Sequence, residues 1–319
     1  MLVLLYAALL AAAVVLLSGP WLIPQLHRLK FGQSIREEGP KSHQAKSGTP
    51  TMGGLMIILA VTVATCLTAK LTLEVFLALF IMLGHFAIGF LDDYIKVVLK
   101  RNLGLKAKQK LLGQILMAGV VAYVGVHYLG MKTELWLPFG LAPVDLGPVY
   151  YLLVFLVLVG TTNAVNLTDG LDGLAAGTVA VASLAYALIC LHFGKLDLAL
   201  FCMAAVGACL AFLRFNAHPA KIFMGDTGSL ALGGILAAVA LLTKTEILLI
   251  LVGLVFVAEA MSVIIQVVSF KTRGKRVFLM SPIHHHFELK GWSETKVVTV
   301  FWSIGIICSA VALGILKLS

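Results

Sequence analysis

Ten stretches of 15 to 23 residues run through this chain almost without charge, and that feature leaves few folds open. A helix rises about 1.5 Å per residue, so about 20 apolar residues cross the ~30 Å hydrocarbon layer of a bilayer. The spans fall near residues 2–19, 54–70, 74–95, 111–129, 148–166, 174–191, 196–213, 228–242, 247–269 and 296–315. Each is longer than a strand, and Ala, Leu and Gly recur throughout, so helices are expected. Composition agrees, with 60% hydrophobic and 12% charged residues, against about 45–50% and about 25% in a soluble domain. The expected fold is all-α: a polytopic membrane protein of about ten transmembrane helices, forming one domain over residues 1–319.

The connections set the orientation. Loops 20–53, 96–110, 214–221 and 271–296 hold 19 of the 24 Lys and Arg, and the opposite side holds Lys70, Lys132, Lys195, Lys244 and Lys317. That asymmetry puts the basic loops in the cytoplasm and both termini outside. No basic segment precedes the first span, and its first charges, Arg28 and Lys30, follow it, so it is expected to be a retained helix. The net charge of +9 becomes a cytoplasmic surface field suited to anionic ligands or lipid headgroups, although topology alone also accounts for it. Nucleic acid is not an expected partner. The five cysteines lie in apolar segments without CxxC spacing, as small buried hydrophobes. The outward loop 130–147, with two prolines and two glycines at its turns, is expected to be a cap with little chemistry.

Acids are scarce, yet Asp92, Asp93, Asp169, Asp172 and Asp226 all sit at span ends on the inner side. On a helix Asp92 shares a face with Lys96 at i, i+4, while Asp93 points about 100° away. Paired acids near a helix C-terminus oppose its dipole, a cost that makes sense if a cation gathers them. Asn163 and Asn166 stack at i, i+3 on the fifth span, and the glycines after them bend the chain so that Asp169 and Asp172 turn inward. Oxygen-only donors of this kind suit Mg²⁺. A tight turn capped by Asn and Asp needs one or two such residues, not four in ten. Asp226, Thr227 and Ser229 are credible N-caps at a helix start that also suits an anion. Phe223 beside them is placed either to stack on a base or simply to pack.

The run His284-His285-His286 cannot turn three consecutive rings onto one metal, and no CxxC completes a zinc site. Contact with phosphate oxygens fits it better. The Lys46–Gly54 loop mixes a lysine, hydroxyls and glycines, as a phosphate contact or a flexible basic linker would. No Walker, GxGxxG or HExxH motif is present.

Taken together, the Lys46–Gly54 loop, Leu91-Asp92-Asp93-Tyr94, Asn163–Gly173, Phe223–Ser229 and Pro282–Glu288 resemble the phospho-N-acetylmuramoyl-pentapeptide transferases. These belong to the polyprenyl-phosphate hexose-1-phosphate transferase superfamily, and the resemblance covers nearly the whole chain. It implies transfer of phospho-MurNAc-pentapeptide from UDP-MurNAc-pentapeptide to undecaprenyl phosphate, giving lipid I and UMP. It makes Asp226 a Mg²⁺ ligand, with Asp92 and Asp93 as catalytic carboxylates close enough to share the ion. Asn166 and Asp169 would line the diphosphate region, next to Asn163. Phe223 would stack on uracil, with Lys46, Thr51, Asp172 and Asn216 on the nucleoside side. His284, His285 and His286 would touch the sugar-phosphate end, His285 in a catalytic role. It also implies a homodimer in the bacterial plasma membrane, a bent ninth helix and an active site on the cytoplasmic face.

Physical chemistry supports the same reaction class. Exchanging one phosphoanhydride for another needs no energy-coupling motif. Two unit charges 4 Å apart repel by about 4 kcal/mol at an effective dielectric of 20, and Mg²⁺ with Lys46, Lys96 and the histidines would relieve that repulsion. Two alternatives stay open: a transferase of another sugar phosphate such as GlcNAc-1-phosphate, and a divalent-cation transporter. A transport path needs ionisable groups near mid-membrane, where only His85 and Glu259 fall.

Overall fold

The computed structural model describes residues 2–28, 48–99 and 104–318. Among these, the helices are α1 (Leu2–Arg28), α2 (Gly54–Thr68), α3 (Leu73–Val97), α4 (Ala107–His127), α5 (Val149–Thr168) and α6 (Leu174–His192). They continue as α7 (Leu196–Asn216), α8 (Gly225–Leu242), α9 (Glu246–Val252), α10 (Leu254–Arg273), α11 (Ile283–Leu289) and α12 (Glu294–Lys317). Nine have the length and composition to cross a bilayer, and α2 is a shorter apolar helix. The protein is an all-α polytopic membrane protein.

The bundle is built around α8. Every residue from Thr227 to Leu242 is buried, as a helix apolar on all sides requires. Glycines and alanines on α8 let α3, α5, α2 and α6 pack closely around it. With no hydrophobic drive between helices inside lipid, such close approach is what holds them together. The outer helices are one-sided. Ala7, Ala8, Ala11, Val15 and Gly19 form the buried stripe of α1 against α7, while Leu2, Leu5, Leu9 and Leu17 face outward. In water so many outward apolar side chains would aggregate, so they mark the lipid-facing perimeter.

Several boundaries depart from the sequence-based spans. The first span is expected to stop at residue 19, but α1 continues to Arg28 through Pro20 and Pro24. Two prolines four apart lie on one helix face, so the hydrogen bonds they forfeit fall in one row. The ninth span is two helices broken at Gly253, whose N–H donates to the Leu249 carbonyl at 2.8 Å before α10 begins. The eighth starts three residues earlier than expected, at Gly225. This overturns the N-cap reading of Asp226, Thr227 and Ser229. They lie inside the first turn, and the Ser229 hydroxyl donates back to the Gly225 carbonyl at 2.9 Å. Cys190, Cys202 and Cys209 are buried, but Cys66 faces outward, since a thiol is apolar enough to border lipid.

The loop at 130–147 carries a short antiparallel hairpin, β1 (Glu134–Leu135) and β2 (Val144–Asp145). Asp145 Oδ1 closes it by accepting from the Thr133 hydroxyl at 2.6 Å and the Gly147 N–H at 2.9 Å. Because consecutive spans run antiparallel, the C-terminal ends of α3, α5, α7 and α10 meet the N-terminal ends of α2, α4, α8 and α12 at the far end of the bundle. Every sequence-based site residue among the described residues lies there.

Candidate active site

Two glycines let the elements meet. Gly89 on α3 lies so close to α8 that a methyl group there would overlap the Asp226 carbonyl. Gly225 opens α8 with φ +70°, and a side chain there would run into Asp93 and Thr51. The end of α3 is thereby pressed against the first turn of α8, with α4 and α5 alongside.

Three carboxylates converge at that junction, and Asp92, Asp93 and Asp226 each offer an oxygen within 4.8 Å of the others. Two ammonium groups answer them. Lys96 Nζ lies 2.5 Å from Asp92 Oδ2 and 3.2 Å from Asp226 Oδ2. Lys110 Nζ, from the first turn of α4, lies 3.0 Å from Asp92 Oδ1 and 2.6 Å from Asp226 Oδ2. With all five groups ionised, three negative charges against two positive leave the cluster at −1.

Each carboxylate is also held by neutral donors. Asp92, only 1% exposed, accepts the Leu105 N–H at 2.7 Å. Asp93 faces away from the lysines, as its 100° offset requires, and its Oδ2 accepts the Thr227 N–H at 2.8 Å and hydroxyl at 2.7 Å. Asn166 Nδ2 donates to Asp226 Oδ1 at 2.9 Å and to Ser229 Oγ at 2.8 Å. One turn back, Asn163 donates to Gln114 Oε1 at 3.2 Å, and Gln114 donates to the Thr162 hydroxyl at 2.8 Å. The acids thus sit in a preformed lattice of hydrogen bonds.

The remaining sequence-based residues surround this centre without entering it. Asp169 caps the C-terminus of α5, one turn beyond Asn166. Asp172 belongs to a separate cluster. Its Oδ2 accepts the Ala220 N–H at 2.9 Å and lies 3.1 Å from His218 Nδ1, while its own N–H donates to Glu294 Oε1 at 2.7 Å. Asp172 is thereby tied to the α7–α8 connection and to the first turn of α12. Asn216 is buried, tying the Gly173 N–H (3.0 Å) to the Ile222 carbonyl (2.9 Å). Phe223 is half-buried and runs beside the Pro50–Gly54 segment, its N–H donating to the Pro50 carbonyl at 2.8 Å. Thr51 is buried beside Gly225, and Lys46 lies outside the described residues.

The three histidines take different partners, although the rings of His284 and His285 lie 4.1 Å apart, centroid to centroid. His284 is buried against Glu259, with 3.0 Å between Nδ1 and Oε1. His285 Nδ1 pairs with Glu288 Oε2 at 2.8 Å, and His286 Nδ1 accepts the Leu279 N–H at 3.1 Å. Desolvation, aided by the Lys290 charge, pushes the His286 imidazole below its ordinary pKa, in keeping with that acceptor role.

Sequence reasoning did not single out Lys110, Gln114, His218 or Glu294. Lys110 was traceable. It stands four residues before Gln114 on the stripe that continues through Met117, Ala118 and Val121, so it falls on the buried face of α4.

The Glycosyl transferase family 4 model matches residues 75–244, and the Phospho-N-acetylmuramoyl-pentapeptide-transferase signature 1 matches residues 46–58. A phospho-N-acetylmuramoyl-pentapeptide-transferase of Geobacillus sp. (strain WCH70) is 57% identical over 309 residues, 96% of this chain and 95% of its own length. That of Bacillus subtilis (strain 168) is 56% identical over 317 residues, 98% of each chain. That of Geobacillus kaustophilus (strain HTA426) is 59% identical over 292 residues, 90% of each. With identity of this order along nearly its whole length, the chain belongs to the phospho-N-acetylmuramoyl-pentapeptide-transferase family.

Proposed function

We propose that this protein transfers phospho-MurNAc-pentapeptide from UDP-MurNAc-pentapeptide to undecaprenyl phosphate, releasing UMP and forming lipid I. The observation that carries the reading is the meeting of Asp92, Asp93 and Asp226 with Lys96 and Lys110 at one end of a membrane bundle. The relatives more than half identical over nearly the whole chain are phospho-N-acetylmuramoyl-pentapeptide-transferases, which supports the substrate class. An oxygen of the lipid phosphate attacks the sugar-bearing phosphorus, the bond from that phosphorus to the bridging oxygen breaks, and UMP departs with the electron pair.

The residues divide the work. Lys96 and Lys110 draw phosphate oxygens to the junction and offset their charge. Thr227 fixes Asp93, and Asn166 fixes Asp226, so neither carboxylate has to reorganise during reaction. Asp169 and Asn163 border the diphosphate, and Phe223, Thr51, Asp172, Asn216 and Lys46 form the nucleoside side. His284, His285 and His286 form the sugar-phosphate end, with His285 in a catalytic role. The donor set fits a hard divalent cation, since it has three carboxylates, no sulfur or nitrogen ligand, and one uncompensated negative charge. Asp92, Asp93 and Asp226 would hold Mg²⁺, which when bound supplies positive charge to the diphosphate oxygens.

The site is assigned to the cytoplasmic face of the bacterial plasma membrane because 19 of 24 basic residues fall in the connections on that side and the nucleotide donor is water-soluble; the homodimer rests on the family resemblance alone. The test is a product assay with the full chain in detergent, both substrates, and Mg²⁺ with or without a chelator. UMP and a lipid-linked product are expected, and both should vanish on chelation. Turnover with UDP-GlcNAc alone would remove the muramoyl assignment. Ion flux in liposomes without lipid product would replace the transferase by a transporter.

A further inference from the structure

Glu259 is the only acid in α10 and is fully buried in an otherwise apolar spanning helix. An ionisable group so placed is expensive and normally has a dedicated partner. Its partner comes from another element. Oε1 lies 3.0 Å from His284 Nδ1, and Oε2 accepts the His284 backbone N–H at 3.5 Å. Both carboxylate oxygens are thus spent on one residue. The other imidazole nitrogen, Nε2, is buried with no hydrogen-bond partner and abuts Gly170, where a methyl group would overlap it. Gly170 lies in the turn between Asp169 and Asp172. His285 and His286 have their Nδ1 atoms engaged at Glu288 and Leu279, whereas His284 Nε2 abuts that loop.

We propose that Glu259 is a positioning residue: through His284 it sets the turn carrying Asp169 and Asp172 and presents Nε2 there to the sugar-phosphate end of the donor. The carboxylate holds the ring with its proton on Nδ1, which leaves Nε2 to accept a hydrogen bond. A buried nitrogen without a partner is a loss in the resting protein that a ligand hydroxyl would recover. The inference rests on the transferase reading for its substrate, and on geometry alone for the pair itself.

The experiment uses the full chain in detergent and compares Glu259→Leu, Glu259→Gln, His284→Ala and the Glu259→Leu/His284→Ala double variant. Glu259→Leu should lower kcat about 10- to 100-fold, the usual range for losing a carboxylate behind a functional histidine. KM for undecaprenyl phosphate should stay unchanged. Glu259→Gln, which still accepts from Nδ1–H, should recover most of the rate. The double variant should be no slower than His284→Ala, since Glu259 acts through that ring. Gly170→Ala, which crowds Nε2 without touching Glu259, should reproduce the loss. Losses that multiply in the double variant, or Glu259→Leu at the parental rate, would overturn the proposal. Nitrogen-15 histidine spectra read the pair without turnover. One imidazole protonated on Nδ1 should disappear in His284→Ala and shift in Glu259→Leu, and its absence from the parent would also overturn the proposal. A parent that shows this signal but makes no lipid-linked product would sink the transferase reading instead.

Discussion

A carboxylate gains its meaning here from what faces it. Asp226 receives both lysines and Asn166, and it offers an oxygen within 4.8 Å of Asp92 and Asp93. Asp226→Asn keeps the shape, removes a charge, and should lower UMP release by at least about 10²- to 10³-fold, the scale for deleting one preorganised electrostatic group. Thermal unfolding in detergent should stay near parental, and a rate close to parental at limiting Mg²⁺ would refute its assigned role. Lys110 competes with any cation for Asp92 and Asp226. Lys110→Met should therefore lower kcat while reducing the Mg²⁺ concentration for half-maximal rate, read from a metal titration. A weaker metal requirement with unchanged kcat would place Lys110 outside the reaction. Asp92 and Lys96 were legible as a pair from their i, i+4 spacing, and Asp93 from its offset. That Lys110 closes the same cluster was not, because it arrives from the next helix.

Among the elements, the junction of α3 with α8 is the decisive one. Gly89 allows their backbones to touch, and the carboxylates of both helices meet only because of that contact. Gly89→Ala should lower stability by about 1–3 kcal/mol through overpacking and should abolish turnover by parting Asp93 from Thr227. Differential scanning of the purified variant, paired with the product assay, checks both, and full activity would mean the junction has slack. The nine spanning helices and the shorter α2 were legible from apolar run length. Their ends were less so, because prolines inside α1 and the break at Gly253 depend on neighbours rather than on local propensity. Asp172 shows the same limit. Spacing placed it in a turn, but Ala220, His218 and Glu294 capture it from elements distant in the chain.

For the molecule as a whole, the site end and the hairpin end differ in charge and in chemistry. If the basic loops lie in the cytoplasm, Leu141→Cys at the outward-facing hairpin should react with an impermeant maleimide on intact cells. Lys275→Cys, exposed beyond α10, should react only after permeabilisation. The reverse pattern would invert the topology and remove the soluble nucleotide from the site. Chelation tests the same end of the molecule chemically, since three carboxylates facing two lysines are the groups a divalent cation would join.

What the chain alone determined is what a bilayer enforces locally: which segments are apolar enough to cross, how they alternate, and that scarce acids crowd one side. Those properties depend on runs of neighbouring residues, and run length survives any arrangement of the helices. Only the folded bundle decided that Lys110 completes the centre of Asp92, Asp93 and Asp226, and that the buried Glu259 faces His284. Those contacts join residues 18 to 134 positions apart, and their formation depends on how closely two helices can approach. Glycines such as Gly89 set that approach, and the surrounding sequence does not show which of the 30 glycines do so.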